Sequence, residues 1–403
     1  MPKAPRRRAN KANTASEQED NLFWRLSSAA ERERRLTALR AAMDAAGLSA
    51  LVVCGRGDEF MRGRVQYVSD IFQWAGWGIV VLPRYGEAAF IADPLWGLGR
   101  ARLVGWHADV RSSHSPGAEI AQVLADRGAA AGPVGVAGLA DITTAAQMTA
   151  MREALPKVSF RDATDLFDDI RSVKSDEELD NLAETSAILR TVYRSLEAEL
   201  RPGVMHRDVM AEAHRLVRQY GCLDGIAQIA TRPFTALMWS STKTLRRGDV
   251  IAIDLEWGGP SGYWVELRRN YSLGPPPDDV RRYWDTRMES YAACVAAMKA
   301  GNSSADILAA RDRVYAKHGQ DGSGLLSYTA HGIGVDSLEP PWVPGKERVL
   351  AENMVISLHP SIGLPDAEHA AFGCLAIADN VRVTATGGER MTYTDDAWIE
   401  LDV

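Results

Sequence analysis

Two β-rich runs, DVIAIDLEW and GYWVELRRN, flank the stretch GGPSG and carry the acids Asp254 and Glu266 among mostly apolar neighbours. A glycine-rich break between such runs reads as a β-hairpin with a loop of several residues. With the turn centred near Pro260, Asp254 and Glu266 lie six residues to either side and face each other across the ladder. Opposed carboxylates repel. Such a pair persists where a cation bridges it, where one acid keeps its proton, or where a base neutralises it. Arg268, on the Glu266 face, offers the plainer alternative of a surface ion pair. Two histidines follow. His331 precedes a Gly-Ile-Gly that lets backbone come close, and the Leu-Glu-Pro-Pro beyond it breaks regular structure. His359 interrupts the strand-like run ISLHPSIGLP and stands open as a core residue, a proton carrier or a metal ligand. Trp239, Trp257, Trp264 and Trp342 fall in or beside these segments. Aromatic walls suit an aromatic or cationic small molecule, while the plainer role for each indole is core or dimer surface. His369, in LPDAEHAAFG, is a candidate for the cavity entrance.

These side chains need a scaffold. SSAAERERRLTALRAAMDAAGLSALVVCG spaces Leu36, Leu39 and Met43 for a helix, stops it with glycine, and continues into a wholly apolar strand. WGIVVLP, AAFIADP and VGVAGLAD repeat the short-strand pattern, so residues 23–170 read as an α/β domain. At the junction, Ser175 and Glu178 have capping-box spacing, and Leu182, Leu189, Tyr193, Leu196 and Leu200 line the apolar face that follows. ELRPGVMHRDVMAEAHRLVRQYG gives a second amphipathic helix, after which the strands lengthen. Residues 171–403 therefore read as helices on one face of an antiparallel sheet, an α+β domain.

Composition sets the outer bounds. A length of 403 residues implies two domains, and 46% hydrophobic residues without a long apolar run imply a real core and no membrane span. A formal charge of -7 argues against nucleic-acid binding. Cys54, Cys222, Cys294 and Cys374 form no metal or redox motif, which fits reduced thiols and a cytoplasmic location. The basic stretch over residues 1–22 has no apolar core of a signal peptide and reads as a disordered tail.

In order along the chain stand a Gly-Asp strand with an aspartate, a Gly-Tyr-x-x-acid strand, His-Gly-Ile-Gly, an Asn-Met-Val strand, and a last strand reading Asp-x-Val-x-Val-Thr. This set, with the junction IRSVKSDEELDNLAETSAI, resembles the pita-bread superfamily of methionine aminopeptidase, Xaa-Pro aminopeptidase, prolidase and creatinase. The N-terminal half is similar to the creatinase and prolidase N-domain. The resemblance covers roughly residues 30 to 400 and implies an α/β N-terminal domain, an α+β pita-bread domain and a homodimer.

The peptidases of that family hold two metals with two Asp, one His and two Glu. Carried over, the resemblance gives Asp254, Glu266 and His331, then His359 in place of one Glu and Ala378 in place of the other. A catalytic His of the family falls at Met238 or Trp239, and a substrate-contacting His at Leu338. A two-metal aminopeptidase centre is therefore not expected. One divalent ion, Zn, Mn or Fe, on Glu266, His331 and His359 would have the donor set of a facial triad or catalytic zinc site, with Asp254 as ligand, partner or base. The competing reading follows creatinase, which works without metal: a histidine shuttles protons and the carboxylates hold a cationic substrate. The expected activity is a hydrolase or lyase acting on a C–N or related bond of a small molecule. The alternatives are an Xaa-Pro metallopeptidase and a non-catalytic binding protein.

Overall fold

The computed structural model describes residues 25–235, 241–320, 329–340, 348–392 and 397–402. The basic tail over residues 1–22, Trp239 and Trp342 lie outside them. Ser28 opens helix α1 (Ala29–Ala45), its hydroxyl accepting from the Glu31 N–H at 3.1 Å. Strand β1 (Ala50–Arg56) follows, then α2 (Gly63–Tyr67), β2 (Trp77–Pro83), β3 (Ala89–Ala92), α3 (Leu98–Val104), β4 (Asp109–Ser112), α4 (Pro116–Asp126), β5 (Val134–Ala137), α5 (Ala145–Ala154), β6 (Phe160–Asp162) and α6 (Thr164–Ser172). The sheet runs β4-β3-β2-β1-β5-β6, with β1 antiparallel to β2 and parallel to β5. Central β1 is apolar without alternation because helices cover both its faces: Leu51 and Val53 join one core cluster, Val52 and Cys54 the other.

The second half begins at α7 (Asp176–Glu197), whose Ser175–Glu178 capping box forms as the spacing predicts. Helix α8 (His206–Gln219) leads into β7 (Asp224–Thr231), β8 (Val250–Gly258) and β9 (Trp264–Leu273). Then come α9 (Asp278–Ala297), α10 (Ser304–Lys317), β10 (Ala330–Gly332), β11 (Val355–Leu358), α11 (Asp366–Phe372), β12 (Asp379–Val383), β13 (Gly388–Arg390) and β14 (Ile399–Leu401). Two sheets result, β14-β9-β8-β7 and β10-β11-β12-β13, linked by a bridge between Arg268 and Ala378. Within them only β14 with β9 is parallel.

Period-2 alternation decides which side chains reach the site. Ile251, Ile253, Leu255, Leu267 and Tyr271 bury against Leu182, Leu189, Tyr193 and Met210 of α7 and α8. Ile356, Leu358, Val381 and Val383 bury against Trp284, Tyr291 and Ile307 of α9 and α10. Each such aliphatic side chain contributes about 1.5–3 kcal/mol. The intervening residues, Asp254, Glu256, Glu266, Arg268, Ser357 and His359, turn to the opposite face.

The hairpin register differs from the sequence expectation. The loop spans five residues, 259–263, closed by Gly259 N–H donating to Tyr263 O at 2.9 Å, and Gly258 pairs with Trp264. The turn therefore centres on Ser261, one residue beyond Pro260. Moving the centre by one moves each partner by two, so Asp254 faces Arg268, and Glu266 faces Glu256.

A buried ionic cluster holds the segment after His331 against the first half of the chain. Arg171 donates to Asp168 at 2.7 Å, Asp336 at 2.8 Å and Glu339 at 2.9 Å. Lys174 adds a bond to Glu339 at 2.7 Å, Arg64 one to Asp168 at 2.8 Å, and the Gly63 N–H one to Asp336 at 2.6 Å.

Candidate active site

The faces of the two sheets turned away from the helices line a cavity of about 700 Å³. Its floor comes from the hairpin and its neighbour: Gln228, Asp254 and Arg268 form one cross-strand row, Glu256 and Glu266 the next. His331 enters from β10 and His359 from the end of β11, whose backbone N–H donates to Thr329 O at 2.8 Å.

The two imidazoles converge on one oxygen. His331 Nε2 lies 3.0 Å and His359 Nε2 3.7 Å from Glu266 Oε2, and the Ser357 hydroxyl donates to the same atom at 2.6 Å. The histidine rings stand 5.3 Å apart, centroid to centroid. His331 Nδ1 lies 3.0 Å from Gly332 O, so both of its ring nitrogens face acceptors, the arrangement of an imidazolium. Arg268 engages Asp254 through Nε at 3.0 Å and through Nη2. Ser337 donates to Glu256.

Electrostatics separate the acids. Burial pushes Asp254 up to about 6, with Arg268 opposing the shift and Glu266 adding to it. Burial and the adjacent Glu266 charge push Glu256 up to about 8, so it holds a proton at neutral pH. Burial acts to raise Glu266 too, but His359, His331 and Arg268 outweigh it and hold that carboxyl well below the usual carboxylate range. For His331 burial works downward, yet Glu266 prevails and raises it to about 9. The site thus pairs one firmly ionised carboxylate with a neighbouring acid that keeps its proton, the separation of roles that acid–base chemistry needs.

A divalent ion has a place to sit. Glu266, His331 and His359 each offer a donor atom within 4.8 Å of the other two. One carboxylate and two imidazoles suit Zn, Mn or Fe and leave coordination positions open. Across the hairpin Asp254 is held by Arg268, and position 378 is an alanine, which carries no donor.

Residues 180–385 match metallopeptidase family M24, and residues 35–173 match the creatinase/prolidase N-terminal domain. The chain belongs to metallopeptidase family M24. Its similarity to the probable dipeptidase PepE of Mycobacterium bovis is 28% identity over 350 residues, covering 82% of this chain and 88% of the relative. The structure of dipeptidase PepE from Mycobacterium ulcerans superposes with a TM-score of 0.74 at 26% identity, covering 93% of this chain and 99% of that one. An Xaa-Pro dipeptidase from Bacillus anthracis shares the fold, with a TM-score of 0.76, 23% identity and coverage of 92% and 100%. This M24 chain accordingly has the α/β N-terminal domain and α+β pita-bread domain that the resemblance implies, and M24 relatives are hydrolytic enzymes.

Of the residues singled out in the sequence, Asp254, Glu266, His331 and His359 come together at the cavity. His369, on α11, lines it as well, its Nε2 3.3 Å from Thr235 O. Among the described residues Trp257 and Trp264 do not line it, contrary to the aromatic wall expected of them, while Trp239 and Trp342 lie outside those residues. Trp257 follows the core-facing phase of β8 and packs beside His214, with ring centroids 5.1 Å apart. Trp264 has the cavity phase, but at the start of β9 it is fully buried beside Arg62. Arg268 is half-buried and pairs with Asp254 rather than with Glu266. Glu256, Ser337 and Ser357 were missed. The alternations D-x-E in β8 and S-x-H in β11 were the available signal for Glu256 and Ser357, whereas Ser337 had none.

Proposed function

We propose that this M24 chain is a hydrolase that cleaves a C–N bond in a small peptide-like molecule, using Glu266, His331 and His359 with one divalent ion. The observation that carries the reading is the approach of both imidazoles to Oε2 of Glu266 within a cavity large enough for a dipeptide-sized ligand. A bound ion would polarise the scissile carbonyl and make hydroxide available near neutral pH. The chain's own groups supply the rest. Ser357 fixes the Glu266 carboxylate, and the Gly332 carbonyl orients His331 through Nδ1. Glu256, whose carboxyl faces the cavity beside Glu266, is placed to hand a proton to the departing amine.

A second reading, an Xaa-Pro dipeptidase, is favoured by the names of the relatives, probable dipeptidase and Xaa-Pro dipeptidase. Assay of Xaa-Pro and other dipeptides with added manganese separates the two. Turnover confined to Xaa-Pro substrates selects the second reading, and turnover of other C–N substrates the first. Metal analysis of purified protein checks the ion: about one equivalent is expected, lost in His359→Ala, and none in either sample favours metal-free acid–base catalysis. We also propose a homodimer. Trp74 and Trp96, exposed and edge-to-face at 5.1 Å, and exposed Phe60 at the cavity rim support it.

A further inference from the structure

Arg268 is the residue of the cavity floor that a two-ion centre does not need. Two positions along β9 from Glu266, its side chain shares that residue's face. Its Nε and Nη2 both donate to Oδ2 of Asp254. Its backbone N–H donates to Ala378 O at 3.2 Å, so the neighbouring strand meets it with a residue that has no side-chain donor. A guanidinium keeps its charge at every pH at which the protein is folded, and it repels a metal ion at close range. The two-metal set implied by the resemblance contains four carboxylates. This chain has His359 and Ala378 at two of those positions, and the guanidinium occupies Asp254, a third.

We propose that Arg268 is a built-in cation that takes the place of a second divalent ion, neutralising Asp254 and limiting the pocket to a single ion at Glu266, His331 and His359. The limit deepens the one-ion reading above, but the role of Arg268 is tested by a gain of metal and does not depend on the starting number.

The test is metal stoichiometry of the full chain, stripped with chelator and titrated with manganese, followed by calorimetry and elemental analysis, with circular dichroism as the check on folding. Wild type is expected to bind no more than one ion. Ala378→Glu alone is expected to bind the same number, because its new carboxylate meets an intact guanidinium. Arg268→Thr combined with Ala378→Glu frees Asp254 and is expected to gain one equivalent, and Arg268→Lys combined with Ala378→Glu is expected to gain none. Two ions in wild type, a gain in Ala378→Glu alone, or no gain in a folded Arg268→Thr/Ala378→Glu protein would each overturn the proposal. If that double variant does not fold, Ala378→Glu alone decides, a gained ion counting against the proposal and an unchanged count for it. A wild type that binds no ion would remove the one-ion reading, and Arg268 would still be judged by the gain.

Discussion

Replacing Arg171 with methionine removes a guanidinium shared by Asp168, Asp336 and Glu339. Two of the three acids keep a cation, Asp168 through Arg64 and Glu339 through Lys174. Asp336 keeps only the Gly63 N–H and, among the described residues, no cation. Breaking a buried ion pair from one side costs about 3–5 kcal/mol, since the remaining charge is left desolvated. Asp336 has a way to limit that cost. Burial already pushes its carboxyl up to about 6 with Arg171 in place, so without Arg171 it takes up a proton more readily. The loss at pH 7 is therefore expected at the low end, about 3 kcal/mol. At pH 5 it should be smaller, because the wild-type carboxyl is then largely neutral and has less to lose. Urea unfolding followed by tryptophan fluorescence at both pH values measures this. Arg215→Met, at an exposed pair with Glu212 on α8, is the control and should cost no more than about 1 kcal/mol. A loss in Arg171→Met no larger than in Arg215→Met, or one that grows at pH 5, would refute the reasoning. Since Ser337 follows Asp336 and donates to Glu256, the variant should also loosen the cavity wall.

Three further outcomes are expected. Ser357→Ala removes the 2.6 Å bond to Glu266 Oε2 and should weaken manganese binding about 10- to 100-fold with little change in the urea midpoint. Calorimetry reads this directly, and an unchanged affinity counts against Ser357 as the orienting group. His206, pushed down to about 4 by burial and by Lys243, takes a proton in the unfolded chain before it does so in the folded one. Stability should therefore fall as pH drops from roughly 6.5, the ordinary histidine value, toward the folded value. His206→Gln should flatten that slope, and an identical slope would exclude this histidine as its source. Trp74→Ser combined with Trp96→Ser should shift the protein from dimer to monomer in light scattering, whereas a monomeric wild type would dismiss the dimer altogether.

Local signals in the chain carried most of the architecture. The Ser175–Glu178 spacing gave α7 its start, and the unbroken LVVC run identified a strand covered on both sides. Alternation along β8 also carried a signal for Trp257 that the cavity-wall expectation passed over: it shares the phase of Ile253 and Leu255, so an Asp254 in the cavity puts Trp257 in the core. What the chain hid were contacts made across long sequence separations. Trp264 is buried in the core beside Arg62, about two hundred residues away, and no local pattern reports that. The partner of Glu266 depended on whether the turn centred on Pro260 or Ser261, a matter of loop hydrogen bonding. That single residue decides whether Asp254 faces Glu266 or Arg268, while Glu266 meets an acid in either register, and Glu256 was overlooked for the same reason.

The five-residue loop between β8 and β9 also sets a rule for how this enzyme can change over evolutionary time. Losing or gaining one residue there while keeping the same turn shape would put β9 out of phase. Leu267 would swing into the cavity, and Glu266 and Arg268 would be driven under α7. Insertions or deletions of two keep the phase, and if the turn shape is retained they move every partner one step along the ladder. In the present register a deletion of two would bring Glu256 opposite the guanidinium of Arg268, whereas an insertion of two would leave Ala252 there and return Glu266 to Asp254.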